Sequence, residues 1–266
     1  MSEQPKPRGG NSAGYSYLDS ALPLAFAHRG GAADGDENTT AAFQRAVDLG
    51  YRYVETDVQA TADGVPVIFH DANLRRVAGR DEMVGALRWA DLATIRVGGE
   101  QAVPRLVDVL GAWPGLRFNL DVKAWPAVRP LIDAIRHTGA LERVLVASFS
   151  DRRLAYVRRA LGPRLATSLG PAGVARLRLA ALGRRGMLGL TPGVPAAQVP
   201  VRLGPVRVVD RTFVTYAHRI GMQVHVWTID DPDEINRLLD LGVDGIMTDR
   251  IEVLRDVLLS RGQWDT

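Results

Sequence analysis

Cysteine is absent from all 266 residues. That excludes a disulfide framework, a thiolate metal site and a cysteine nucleophile, and it suits a reducing, cytoplasmic location. No apolar run approaches the roughly 18 residues that a membrane-spanning helix needs. The opening MSEQPKPRGGNSAGYSYLDS has no apolar core of the kind a signal peptide requires; it reads as a flexible arm over residues 1–22. Lysine is scarce: of 33 basic residues only Lys6 and Lys123 are lysines. A chain that uses arginine for generic positive charge marks Lys123 as chosen for its ammonium. From Arg143 to Arg219, fourteen arginines face only Asp151 and Asp210. Aromatic residues are sparse among them, only Phe149, Tyr156, Phe213 and Tyr216, and do not recur as a single-strand nucleic-acid groove would want. No nucleic-acid partner is expected, and the arginines read as a solvated helical surface.

Apolar residues make up 46% of the chain and charged residues 24%, an ordinary balance for a globular protein. Strand-like runs recur at 23–28, 53–60, 117–123, 143–150, 165–170, 196–199, 222–229 and 244–249. Amphipathic helical patterns follow them. The first runs from an Asn38 N-cap through Leu49; the others lie near 104–112, 128–138, 151–161, 173–183, 211–220, 231–241 and 251–260. This alternation predicts parallel strands joined by crossover helices. No glycine-rich dinucleotide fingerprint opens a helix, which disfavours a doubly wound sheet. The fold expected is a TIM (β/α)8 barrel filling residues 23–266 as one domain.

One unit breaks the alternation. TADG (61–64) joins the strand at 53–60 to VPVIFH without a helix, and Asp-Gly between two β-rich runs signals a hairpin, here spanning residues 53–70. Pairing Thr61 with Gly64 sets Glu55 opposite His70 and Asp57 opposite Ile68. Residues two apart on a strand share a face, so Glu55, Asp57 and His70 converge. Asn119, Asp121 and Lys123 share a face of RFNLDVK, His28 ends the first strand, and His225 and Trp227 share a face of QVHVWT. In parallel barrels the chemistry lies at the C-terminal strand ends. Buried carboxylates are costly unless paired or bound to a cation. Glu55, Asp57 and Asp121 therefore suit a hard divalent ion, Mg²⁺ or Ca²⁺. His28 and His70 suit a general base and acid near neutral pH. Arg29 and Lys123 suit an anionic substrate, most simply a phosphate.

The stretch AHRGGAADGDENTTAAFQRAVDLGYRYVETDVQATADGVPVIFHDANLRR, followed by VPRLVDVL, NLDVK and VHVWTIDDPDEINRLLDLGVDGIMTD, resembles the glycerophosphodiester phosphodiesterase family over residues 25 to 258. The resemblance implies a TIM barrel that hydrolyses glycerophosphodiesters to glycerol 3-phosphate and an alcohol with a divalent metal. By position it puts the catalytic histidines on His28 and His70 and the metal ligands on Glu55, Asp57 and Asp121. The phosphate contacts fall on Arg29 and Lys123, and the pocket tryptophan on Trp227. The family often carries glutamate where Asp121 stands. Two alternatives accompany this reading. One is lysophospholipase D-type cleavage of lysophospholipids, with VARLRLAALGRRGML (174–188) resting on a membrane surface. The other is a non-catalytic barrel that binds phosphate esters.

Overall fold

The structure, a computed structural model, describes residues 14–183 and 193–264. Eight strands alternate apolar outward residues with inward ones of mixed character. They are β1 (Leu24–His28), β2 (Tyr53–Ala60), β3 (Arg117–Val122), β4 (Val144–Ala147), β5 (Ala166–Thr167), β6 (Ala196–Pro200), β7 (Gln223–Trp227) and β8 (Gly245–Thr248). Each is followed by a helix: α1 (Thr40–Asp48), α2 (Leu106–Ala112), α3 (Val128–His137), α4 (Asp151–Leu161), α5 (Pro171–Ala181), α6 (Arg211–Arg219), α7 (Pro232–Leu241) and α8 (Ile251–Ser260). Neighbouring strands pair in parallel from β5 back through β1 and on through β8 and β7 to β6. A bridge between Ser168 and Ala196 closes the ring. The chain is a TIM barrel.

Two periodicities explain the layers. Val54, Val58, Phe118, Leu120, Val122, Val144, Val146, Val224 and Val226 point outward and pack against the helices. Leu24, Phe26, Tyr53, Leu145, Ala166, Ala196 and Met247 point inward and fill the N-terminal end of the barrel. Gly245 is needed there, since a Cβ would stand 2.8 Å from Phe26 and 3.0 Å from His225. A third apolar cluster, including Val67, Phe69, Leu74, Leu92 and Val103, underpins the insertion between β2 and α2. No helix among the described residues is long and apolar enough to cross a membrane.

Two expectations change. The arm expected over 1–22 is packed chain by Tyr15, while residues 1–13 lie outside the described residues. A 3-10 turn, Ser16–Leu18, buries Tyr17 and Leu18 completely against the barrel floor. Tyr53 Oη donates to the Tyr17 carbonyl at 2.9 Å, Gln223 Nε2 to that of Leu18 at 3.3 Å, and Arg117 Nη1 to that of Asp19 at 3.1 Å. Two bulky apolar side chains on the open floor of a barrel gain more by burial than by freedom.

The hairpin register is shifted by one. Val58 faces Ile68 and Ala60 faces Pro66, so Asp57 does not face Ile68 and Glu55 does not face His70. The turn is a three-residue loop with Gly64 left-handed at φ 79°, closed by Thr61 N–H donating to the Val65 carbonyl. That loop type, rather than a two-residue turn, sets the pairing. The second strand is only Pro66–Ile68, and His70 lies beyond the ladder.

The stretch suggested as a membrane contact, 174–188, falls partly in α5, which turns Leu177, Ala180 and Ala181 into the core. Residues 184–188 lie outside the described residues.

Candidate active site

The strand ends bring the expected residues to one mouth. His28 ends β1, Glu55 and Asp57 lie on β2, Asp121 on β3 with Lys123 just beyond it, and Trp227 ends β7. Asp57 and Asp121 are register partners on adjacent strands, as are His28 and Glu55. All three carboxylates are buried.

Lys123 lies between two of them, with Nζ 2.7 Å from Asp57 Oδ1 and 2.8 Å from Asp121 Oδ2. Burial works against its charged form, but the two carboxylates prevail and raise its pKa. Asp57 also accepts from Asn38 Nδ2 at 2.8 Å, and Arg29 Nε stands 3.2 Å from its Oδ2, out of hydrogen-bond alignment. Burial would raise the pKa of Asp57, but Lys123 and Arg29, with His70, hold it below the ordinary value. The other two acids go the opposite way. Burial, reinforced by Asp57, pushes Glu55 up to about 7. Burial likewise raises Asp121 despite Lys123, and Asp121 Oδ1 has no hydrogen-bond partner among the described residues.

An orphaned buried carboxylate oxygen and a carboxyl that resists ionisation are what a bound cation would relieve. The donors are all oxygen, the preference of Mg²⁺ and Ca²⁺. The residues present therefore fit a hard divalent ion chemically. As they stand, with the Lys123 ammonium between two acids, no three His, Cys, Asp or Glu among the described residues are spaced to hold one.

Each histidine has its own carboxylate. His28 Nδ1 lies 2.6 Å from Asp249 Oδ1, and its Nε2 lies 3.7 Å from Glu55 Oε2. Burial would lower the His28 pKa, but Glu55 and the Asp249 hydrogen bond outweigh it, and the net shift is upward. Asp230 Oδ1 steadies the turn at Asp249 by accepting from Thr248 Oγ1 and from the Asp249 N–H, both at 2.8 Å. His70 Nδ1 lies 2.5 Å from Asp71 Oδ1.

The loop after β1 is strained in the service of these contacts. Arg29 and Asn38 are the two non-glycine residues at positive φ among those described, 52° and 61°, a conformation seen in only a few per cent of such residues. In return the Arg29 N–H donates to Glu55 Oε2 at 3.2 Å. Asn38 bridges Asp57 to Thr56, whose Oγ1 donates to Asn38 Oδ1 at 2.7 Å. Asn38 is thus a ligand of the acid cluster and not the helix cap; Thr39 caps α1 by accepting from the Ala42 N–H.

Trp227 meets Phe149 edge to face at 5.8 Å, and Lys123 Nζ lies 5.9 Å from the Phe149 ring centre. Asp249, Asp71, Glu37, Asn38 and Phe149 were not singled out from the sequence as site residues. Asp249 and Asp71 had a local signal, an acid at a strand end and an acid beside a histidine; Phe149 had none.

The chain matches the Glycerophosphoryl diester phosphodiesterase family over residues 28–253. It is 43% identical over 245 residues to a probable glycerophosphodiester phosphodiesterase 2 of Mycobacterium tuberculosis, covering 91% of this chain and 93% of that one. A crystal structure of a putative glycerophosphoryl diester phosphodiesterase from Silicibacter pomeroyi superposes with TM-score 0.79 at 25% identity, covering 95% of this chain and 100% of that one. A phosphodiesterase of Oleispira antarctica, solved in complex with the product sn-glycerol-3-phosphate, shares the fold with TM-score 0.74 at 22% identity, covering 89% of this chain and 97% of that one.

Proposed function

Since the chain belongs to the glycerophosphoryl diester phosphodiesterase family, we propose that it hydrolyses glycerophosphodiesters to glycerol 3-phosphate and an alcohol within one domain. In this reading His28 and His70 move the protons and Glu55, Asp57 and Asp121 hold a divalent cation. The observation that carries the proposal is the pair of imidazoles, each tied through Nδ1 to its own carboxylate. Such a tie fixes the tautomer and leaves Nε2 as the nitrogen for proton exchange.

A bound Mg²⁺ or Ca²⁺ would withdraw charge from a non-bridging phosphate oxygen. The chain's own groups supply the rest. Arg29 and Lys123 bind the phosphate and stabilise the charge that grows on it. One histidine takes the proton of the nucleophile, a water or the glycerol 2-hydroxyl, and the other gives a proton to the leaving alkoxide; where the hydroxyl attacks, the cyclic phosphate it forms is then opened by a water to give glycerol 3-phosphate. Trp227 and Phe149 wall the mouth beside them.

The test is metal-stripped protein with glycerophosphocholine or glycerophosphoethanolamine, Mg²⁺ or Ca²⁺ added back, and glycerol 3-phosphate read through a coupled dehydrogenase. A metal-dependent signal that disappears in Glu55→Ala supports the reading; silence with either metal refutes it. A diester with an activated aryl leaving group then assigns the roles, because loss of the general acid is masked on it and loss of the base is not.

Cleavage of a lysophospholipid at the same bond is a second reading. It is favoured by the mouth itself, where Phe149 is 64% exposed and Trp125 is 49% exposed on the loops after β4 and β3. Faster turnover of a lysophosphatidylcholine than of glycerophosphocholine would select it.

A further inference from the structure

The insertion between β2 and α2 carries an arginine with no role in the proton transfers. Arg76 lies in the short helix Arg75–Ala78. Its Nη1 donates to Glu37 Oε2 at 2.6 Å and its Nη2 to Glu37 Oε1 at 2.7 Å. Its Nε and Nη2 reach the two oxygens of Asp71 at 2.9 and 3.2 Å. Each of these carboxylates continues into the site. Glu37 Oε1 accepts from Arg29 Nη1 at 2.9 Å, and Arg29 Nε stands 3.2 Å from Asp57 Oδ2. Asp71 Oδ1 lies 2.5 Å from His70 Nδ1. A line of alternating charge therefore runs from Asp57 through Arg29, Glu37, Arg76 and Asp71 to His70. Arg76 is its link between the loop after β1 and the loop that bears His70.

We propose that Arg76 is a positioning residue: through Glu37 and Asp71 it sets the Arg29 guanidinium and the His70 imidazole in the relative placement that lets both address one phosphate. The proposal rests on the reading of the site given above. A guanidinium suits the task because its planar fork offers five donors along two edges, and an ammonium is a single point charge. Glu37, with a side chain only 13% exposed, needs that partner; burial would raise its pKa, but Arg76 and Arg29 hold it below the ordinary value. The Arg76 side chain itself is 48% exposed, so water can replace part of its pairing when it is removed, and melting temperature is read beside kcat to separate positioning from stability. Its neighbour Arg75 gives the contrast. It pairs with Asp81 at 2.7 Å, both side chains more than 70% exposed, and lies outside the line.

The experiment compares kcat, KM and melting temperature for wild type, Arg76→Ala, Arg76→Lys and Arg75→Ala on glycerophosphocholine with Mg²⁺. Arg76→Ala is expected to lower kcat by ~10²-fold, the size of effect that follows a misplaced reacting group, with a smaller change in KM. Its melting temperature should stay within about 4 °C of wild type. Arg76→Lys should remain slow, and Arg75→Ala should match wild type. Millimolar guanidinium ion should restore part of the Arg76→Ala rate, and ammonium should not. An Arg76→Ala kcat within about twofold of wild type, or equal rescue by ammonium, overturns the positioning role while wild-type activity leaves the function intact. A wild type inert on these diesters overturns both.

Discussion

Two polar groups share the barrel interior, and they are treated in opposite ways. Below the mouth, Asn119 Nδ2 donates to Gln198 Oε1 at 3.3 Å, Gln198 Nε2 faces His225 Nδ1 at 3.3 Å, and His225 Nε2 faces Gln223 Oε1 at 3.0 Å. This belt is neutral. His225 is fully buried, and burial pushes its pKa down to about 4 against a small opposing pull from Asp244. At the mouth, His28 is also mostly buried, yet its pKa is raised because Glu55 and Asp249 stand beside it. Burial alone silences an imidazole; burial beside carboxylates holds it ready to carry a proton. The belt pairs most of its polar groups with one another, leaving only the neutral Asn119 Oδ1 without a partner among the described residues, and the mouth leaves charge to be satisfied by something that arrives.

The contrast can be broken first by deletion. His28→Ala or His70→Ala should cut turnover by ~10²–10⁴-fold, the share of acid–base catalysis, with little change in circular dichroism or melting temperature. His225→Asn should lower the melting temperature and keep the specific activity of the folded fraction. A His225→Asn enzyme as slow as His28→Ala would bring the belt into the chemistry and end the comparison.

Acid sharpens it next. Unfolded, His225 takes up a proton near pH 6.5; folded, only near pH 4. The unfolded state therefore binds the extra proton between these values, and His225 makes the protein less stable as pH falls from about 6.5 to about 4. The loss amounts to about 3 kcal/mol at 1.36 kcal/mol per unit. Denaturant melts of His225→Gln should show a shallower decline over that window than wild type. An unchanged decline would mean that the imidazole titrates in the fold as it does in water.

The smallest effect concerns the mouth's unmet charge. Asp121→Asn removes a carboxylate that burial has destabilised and whose Oδ1 lacks a partner among the described residues. Metal-free Asp121→Asn should be more stable than wild type by ~1 kcal/mol, as replacements at strained functional sites often are. It should bind Mg²⁺ more weakly by isothermal titration. Lower stability in the metal-free variant would show that the Lys123 contact outweighs the cost of the charge.

Most of the fold was legible because its periods are local. Alternation along LAFAH, YVETDVQA, RFNLDV and QVHVW marks which residues face inward, and strand ends mark the mouth. His28, Glu55, Asp57, Asp121, Lys123 and Trp227 follow from those two rules. The hairpin register did not follow, because loop conformation at Gly64 decides it and Asp-Gly permits more than one loop type. The Ser16–Leu18 plug did not, because its two buried residues have no period and only the open barrel floor gives them a place.

What the sequence determines by itself, then, is which side chains line the barrel and that acids, imidazoles and cations gather at one end of it. Only the tertiary structure decides who holds whom. It joins Asp249 to His28 across 221 positions, turns Asn38 from a helix cap into a partner of Asp57, and links Glu37 to Asp71 through Arg76. Side-chain periodicity is set by neighbours along the chain, whereas these pairings are set by the closure of the ring and the path of its loops, which bring together groups that no local pattern relates.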